Sequence, residues 1–160
     1  MEIHKLLIPE LQYETSLLIK FLERVPEEQF DWKPHEKSAT LKGLCNHLAE
    51  IPSWIAPTMA YDEVDLDQYQ VPSFDSIADM IAAVQDNVKA AESALQTDDA
   101  NYWQMWTMRQ GEHVIMELPK YTALRFMVFN QIPHHRAQLG VYLRLLDIPV
   151  PASYGPSADE

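Results

Sequence analysis

Two adjacent imidazoles flanked by two carboxamides, in the run Gln131-Ile132-Pro133-His134-His135-Arg136-Ala137-Gln138, are the residues of this chain whose types and spacing best suit chemistry. At 100° per residue on a helix, Gln131, His134, His135 and Gln138 fall within an arc of about 100°, so all four can face one cavity. Residues four apart on one helix face are the usual way to present two ligands to a single metal. Gln131 with His135, or His134 with Gln138, has that spacing, and neither pair is His with His. Pro133 sits inside the same run, where it removes a backbone donor and costs about 3 kcal/mol in a helix interior. It frees the carbonyl of Phe129, and a kink or widened turn there would re-aim residue 131. Tolerated bending is the plainer reading.

Elsewhere the chemically able residues have structural readings of equal or greater weight. His47, in His47-Leu48-Ala49-Glu50, lies at the edge of an apolar helical arc, with Trp54 two turns on along the same rim and Glu50 one turn on toward solvent. An edge histidine on a core helix is more often a hydrogen-bonded structural residue than a ligand. Glu14 falls on an apolar stripe, where a carboxylate is costly unless it meets a cation or donors. It is either an outer group orienting a ligand histidine or, more simply, the ion-pair partner of an arginine such as Arg136, or a side chain that reaches solvent. Trp32, Trp54, Trp103 and Trp106 could line a pocket, although aromatic residues in a small domain are mostly core. His4, His35 and His113 have no partner by spacing and read as solvated. The one cysteine, Cys45, excludes an internal disulfide and any CxxC site, and with no cation nearby to stabilise a thiolate it reads as core.

The elements that must position these residues are helical. Ile3, Leu7, Leu11, Leu18, Phe21 and Val25 recur at three-to-four spacing and predict a first helix with one buried face. Thr40 is an N-cap for a second, whose face is Leu41, Leu44, Leu48, Ile51 and Ile55. A loop is expected from about Pro57 to Pro72, and Ser73 caps a third helix containing Phe74, Ile77, Ile81, Val84, Val88, Ala91 and Leu95. The stretch WQMWTMRQGEHVIMEL alternates like a short hairpin turning at Arg109 to Glu112. A fourth helix runs from about Pro119 to near Asp147, beyond which Pro149 and Pro151 prevent continuation. The expected fold class is all-α, a four-helix bundle with a short hairpin or irregular insert before the last helix, in one domain over residues 1–160.

Composition narrows the function classes. Twelve basic against twenty-four acidic residues give a formal charge of −12, which repels phosphate backbones and anionic lipid. Neither nucleic acid nor a membrane is an expected partner. Four glycines form no phosphate loop, and no apolar run is long enough to span a bilayer. With no basic segment followed by an apolar one at its start, the chain is expected in the cytoplasm.

The stretches DWKPHEKSATLKGLCNHLAEIPSW and NQIPHHRAQLGVYLRLLDIPVPASYGPSADE, with WTMRQGEHVIMELPKYTALR between them, resemble the DinB-like (DinB/YfiT) family over essentially the whole chain. The resemblance implies a four-helix bundle, commonly a homodimer, that binds a divalent metal such as nickel or zinc through three histidines. The family's first metal histidine corresponds to His47 in HLAE. Its third corresponds to His135 in HHRAQ, where Ala137 replaces the glycine of the family's HRGQ. The second belongs at position 131, which here is Gln131. An amide oxygen is a neutral, harder ligand than imidazole, so metal is expected to be weakly held or absent. His134, about 60° from position 131 on the helix, is an alternative ligand. Superfamily members resemble thiol-dependent transferases that use bacillithiol, mycothiol or glutathione. The implied function is thus metal-assisted transfer of a low-molecular-weight thiol to a small electrophilic substrate, with Glu14 or Tyr142 assisting. The alternative is a metal-free bundle acting as a small-molecule binding or dimeric interaction protein. Under the metal reading, the reactive nitrogens of His47 and His135 should stand roughly 3 to 3.5 Å apart.

Overall fold

The computed structural model of the protein describes residues 2–160. Helix α1, His4–Leu22, buries Leu7, Leu11, Leu18 and Phe21, the stripe that its periodicity predicts. Helix α2, Leu41–Glu50, starts at Thr40, whose Oγ1 accepts the Gly43 N–H at 3.0 Å and so satisfies one of the donors a helix start leaves free. Pro52 has no N–H to continue the α ladder, and the chain tightens into a 3₁₀ turn over Ile51–Trp54 before resuming as α3, Ile55–Ala60. Pro57, expected to begin a loop, instead occupies the first turn of α3, where a missing N–H is harmless.

The expected loop also contains a short strand. Strand β1, Glu63–Asp65, pairs in parallel with β2, Met105–Gln110, in the register Glu63 to Thr107, Val64 to Met108 and Asp65 to Arg109. Asp65 anchors it by accepting the N–H groups of Asp67 and Gly111 and pairing with Arg109 at 2.6 Å. Strand β2 pairs antiparallel with β3, His113–Pro119, through a turn at Gly111-Glu112, where Gly111 adopts φ +55, a conformation that favours glycine. The hairpin predicted from alternation is therefore present, but as part of a three-stranded sheet.

Helix α4, Ile77–Leu95, is capped by Ser76 rather than Ser73. Ser76 Oγ accepts the Asp79 N–H, while Phe74 remains outside the helix with its N–H donated to Asn46 Oδ1. A four-residue helix α5, Asp99–Tyr102, leads into the hairpin. The expected fourth helix is broken into α6, Lys120–Leu124, a π turn over Arg125–Phe129, and α7, Gln131–Leu145. Within the π turn the Asn130 N–H reaches back five residues to the Arg125 carbonyl, at 3.0 Å. Asp147, in the left-handed region at φ 58, ends α7 while the Ile148 N–H returns to the Leu143 carbonyl.

Helices α1 and α2 each pack against both α4 and α7, burying the main core between them. Trp106, Met108 and Ala123 form a second, smaller core, against which Trp54, Met116 and Met127 pack. The molecule is mostly helical, and where an all-α four-helix bundle with a short hairpin or irregular insert was expected, it carries a three-stranded sheet with a small core of its own. No helix among the described residues is long and apolar enough to cross a membrane.

Candidate functional site

His47 leaves α2 one turn before its end, between the buried Leu44 and Leu48. His135 leaves α7 in its second turn, beside the buried Ile132 and Leu139. Because α2 packs on α7, the two rings meet edge to face, with centroids 4.6 Å apart and planes at 80°. Each imidazole is also tied from behind. His135 Nδ1 donates to Gln138 Oε1 at 2.9 Å, which leaves Nε2 as the nitrogen with a free lone pair. His47 Nδ1 faces Glu50 Oε2 at 3.4 Å, a longer contact with the same consequence for its Nε2. Metal-binding histidines characteristically donate their remote N–H to a carboxylate or carbonyl in this way.

Glu50 is not turned to solvent as its helical position suggests. It is 5% exposed, because Tyr69, from the loop after β1, covers it and donates to its Oε1 at 2.6 Å. Tyr69 in turn lies against the Trp54 ring, with centroids 4.4 Å apart. Burial pushes the Glu50 carboxyl upward in pKa, but hydrogen bonds from His47 and Tyr69 outweigh it and hold the group below the ordinary carboxylate value. Burial also raises the Tyr69 hydroxyl, helped by its bond to Glu50, so it remains a donor. For His135, burial lowers the pKa, and the nearby His47 and His134 add to the shift against the opposing bond to Gln138. A carboxylate kept charged therefore stands behind one imidazole, and a second imidazole is kept neutral.

Gln131 and His47 border a cavity of about 310 Å³. Its walls are Trp54 and Ile51 from the α2–α3 corner, Met108 and Met116 from the hairpin, and Phe126 and Met127 from the π turn. Residues five apart in a regular helix point about 140° away from each other. The widened turn is what lets Phe126 and Gln131 border one cavity, and Pro133, unable to bond the Phe129 carbonyl, follows directly behind it.

The donor set is two imidazoles with free Nε2 atoms and one neutral carboxamide. This set suits a divalent metal in kind, although among the described residues no three His, Cys, Asp or Glu side chains gather as a metal group. His134 is exposed, its ring 4.7 Å from that of His135, and its Nε2 already accepts the Gln138 amide at 3.1 Å.

The chain matches the model of the DinB family over residues 1–160. It belongs to the DinB family. Its fold is similar to that of a DinB-like protein from Bacillus cereus, with a TM-score of 0.65, 22% identity and coverage of 89% of this chain and 92% of that one. A DinB-like protein from Bacillus subtilis is similar at a TM-score of 0.70 and 14% identity, over 91% of this chain and 95% of that one. No curated protein matches the chain.

Other residues singled out in this DinB-family sequence lie apart from the histidine pair. Both carboxylate oxygens of Glu14 are engaged, one by Arg136 at 2.5 Å and the other by the Tyr154 hydroxyl at 2.7 Å. Arg136 Nη2 also donates to that hydroxyl at 2.9 Å, closing a three-residue cluster between α1, α7 and the C-terminal tail. Tyr142 donates to the Ala39 carbonyl at 3.1 Å and packs edge-on against Trp32. Cys45 is fully buried, and burial pushes its thiol up to about 12. Trp106 is fully buried with its Nε1 unpartnered, Trp103 is exposed, and only Trp54 borders the cavity. His4, expected in solvent, is half-buried in the first turn of α1, whereas His35 and His113 are exposed. Tyr69 has a central role that spacing did not indicate. Gln138 was visible on the site-facing arc, but nothing in the sequence ties Tyr69 to Glu50.

Proposed function

We propose that His47 and His135, with Gln131 as a weaker third ligand, hold a divalent cation such as nickel or zinc at the mouth of the cavity, in an enzyme acting on a small molecule. The observation that carries this reading is the pair of imidazoles in contact, each with Nδ1 tied to an outer partner and Nε2 left free. When bound there, such a cation lowers the pKa of a thiol or water in its open positions. Glu50 and Gln138 fix the tautomers, Tyr69 keeps Glu50 in place, and the apolar wall of Trp54, Phe126 and the methionines excludes water from the bound substrate. The resemblance to thiol-dependent relatives makes transfer of a low-molecular-weight thiol to a small electrophile the reaction class, in a cytoplasmic homodimer.

Titration calorimetry of dialysed protein with ZnCl₂ and NiCl₂ tests the reading. Weak binding is expected in the natural sequence, none in His47→Ala, and binding in Gln131→His tighter by at least roughly tenfold, the smaller end of what an outer-shell partner contributes. No binding even in Gln131→His would transfer support to a metal-free small-molecule binding protein, the reading that the missing third imidazole favours. Tight binding in the natural sequence that vanishes in His134→Ala would instead make His134 the third ligand.

A further inference from the structure

The chemistry of the cavity walls narrows what can occupy them, an inference that rests on reading the cavity as the substrate chamber. Three methionines, Met108, Met116 and Met127, line one space together with Trp54 and Phe126. Met108 belongs to the smaller core and Met116 and Met127 pack against it, so the three side chains that close that core also form one wall of the cavity. Methionine is flexible and polarisable, and its sulfur makes favourable contacts at the edges of aromatic rings. Aromatic side chains offer the faces and edges of their rings for stacked or T-shaped packing.

Charge points the same way. Among the described residues no lysine, arginine, aspartate or glutamate borders the cavity, and its polar groups are His47, of the histidine pair, and Gln131, one turn before His135 on α7. Apart from the cation proposed at its mouth, the cavity offers an anionic molecule no cationic side chain in a protein of net charge −12, and a cation would find Glu50, the carboxylate behind His47, already bound by Tyr69 and His47. Burying either charge unpaired is costly. Size completes the description: the cleft opens to solvent at Phe126 and His47, and its volume of about 310 Å³ is roughly twice the 150 Å³ that holds a benzene molecule in an enclosed cavity. We infer that the cavity binds a neutral, planar aromatic molecule of one substituted ring or two fused rings, its ring edges against the methionine sulfurs and its reactive substituent toward His47 and Gln131. Electron-rich sulfur and indole favour an electron-poor ring, which is also what an electrophilic substrate would carry.

The test uses metal-free full-length protein labelled with ¹³C at the methionine methyl groups, titrated with nitrobenzene, 1-nitronaphthalene, 4-nitrobenzoate and cyclohexanol. The two neutral nitroarenes are expected to shift the methyl signals of Met108, Met116 and Met127 saturably. Met59 and Met80, buried in the main core, should stay in place. The carboxylate and the aliphatic alcohol should bind more weakly by about tenfold or more, since one must desolvate a charge and the other has no ring edge. Met116→Gln, near in size but polar, should weaken 1-nitronaphthalene binding by a similar factor, and Met116→Leu, which preserves packing, by about two- to threefold. Circular dichroism would show whether each variant is folded, and if the glutamine variant is not, the leucine variant and the probe series decide. Equal affinity for cyclohexanol, tighter binding of 4-nitrobenzoate, or no saturable shift would overturn the inference. Because no metal is present, failure here leaves the metal titration standing, and failure of that titration leaves this one interpretable.

Discussion

Removing the carboxylate of Glu14 separates a structural role from a catalytic one. Glu14 is 7% exposed and Arg136 2% exposed, so Glu14→Leu strands a buried guanidinium. Breaking a buried pair from one side costs about 3 to 5 kcal/mol. Arg136 keeps the Glu14 backbone carbonyl at 3.1 Å and the Tyr154 hydroxyl at 2.9 Å, and its guanidinium lies 5.3 Å from the Tyr154 ring centre, so we expect the lower end of that range. For a chain of 160 residues, with an unfolding entropy of roughly 0.3 kcal/mol/K, a loss of about 3 kcal/mol lowers the melting temperature by about 9 °C. The double variant Glu14→Leu/Arg136→Met removes both charges and should recover most of this loss, because an apolar pair of similar volume often replaces a buried ion pair at little or no cost. Calorimetric melting of the two variants measures both effects, and zinc titration of the same samples should show unchanged affinity. A single variant that loses less than about 1 kcal/mol while its metal affinity falls would refute the reasoning, since Glu14 would then be acting on the site and not in the cluster.

Glu50→Gln keeps the shape of the group behind His47 but removes its charge, and zinc affinity measured by calorimetry should fall by about 10- to 100-fold, the usual effect of losing an outer partner. Cys45, its thiol pushed up to about 12 by burial, should resist a thiol reagent such as 5,5′-dithiobis(2-nitrobenzoate) in native protein at pH 8 and react fully in denaturant. Rapid labelling of the native protein would contradict its placement in the core. Asp159 ties the C-terminal tail to α7, and the Arg144 guanidinium, with the Val150 N–H, holds its carboxyl below the ordinary 3.8. Since a lowered carboxyl contributes fully above its unfolded value and loses that contribution as pH falls through the folded one, the tail should stay protected from pepsin at pH 4.5 and become cleavable toward pH 2. Equal cleavage at both values would count against the clamp.

The parts of this structure that were legible in the sequence are those whose cause is local. The apolar stripes of α1, α2 and α4 repeat over several turns, and burial follows from repetition. Thr40 caps α2 through its own next turn, and the hairpin alternates within one short stretch. Strand β1 is only three residues long, too short for alternation to register, and its partner lies 44 residues away. The choice of Ser76 over Ser73 as the α4 cap depends on Asn46 taking the Phe74 N–H from another helix. Local pattern cannot carry such information.

The candidate site divides along the same line, and the division bears on its chemistry. The arc of Gln131, His134, His135 and Gln138 is a property of one helix and was legible as such, but of the four only Gln131 borders the cavity, and His134 and Gln138 are exposed. What distinguishes its two histidines is tertiary. His135 meets His47 because α2 packs on α7, while His134 gives its Nε2 lone pair to the same Gln138 amide group whose oxygen holds His135 Nδ1. One carboxamide thereby frees one imidazole nitrogen for the site and occupies another. Changing Gln138 to leucine would remove both effects together, leaving His135 free to adopt either tautomer and His134 free to compete as a ligand, so the roles of the adjacent histidines depend on that side chain more than on their own positions.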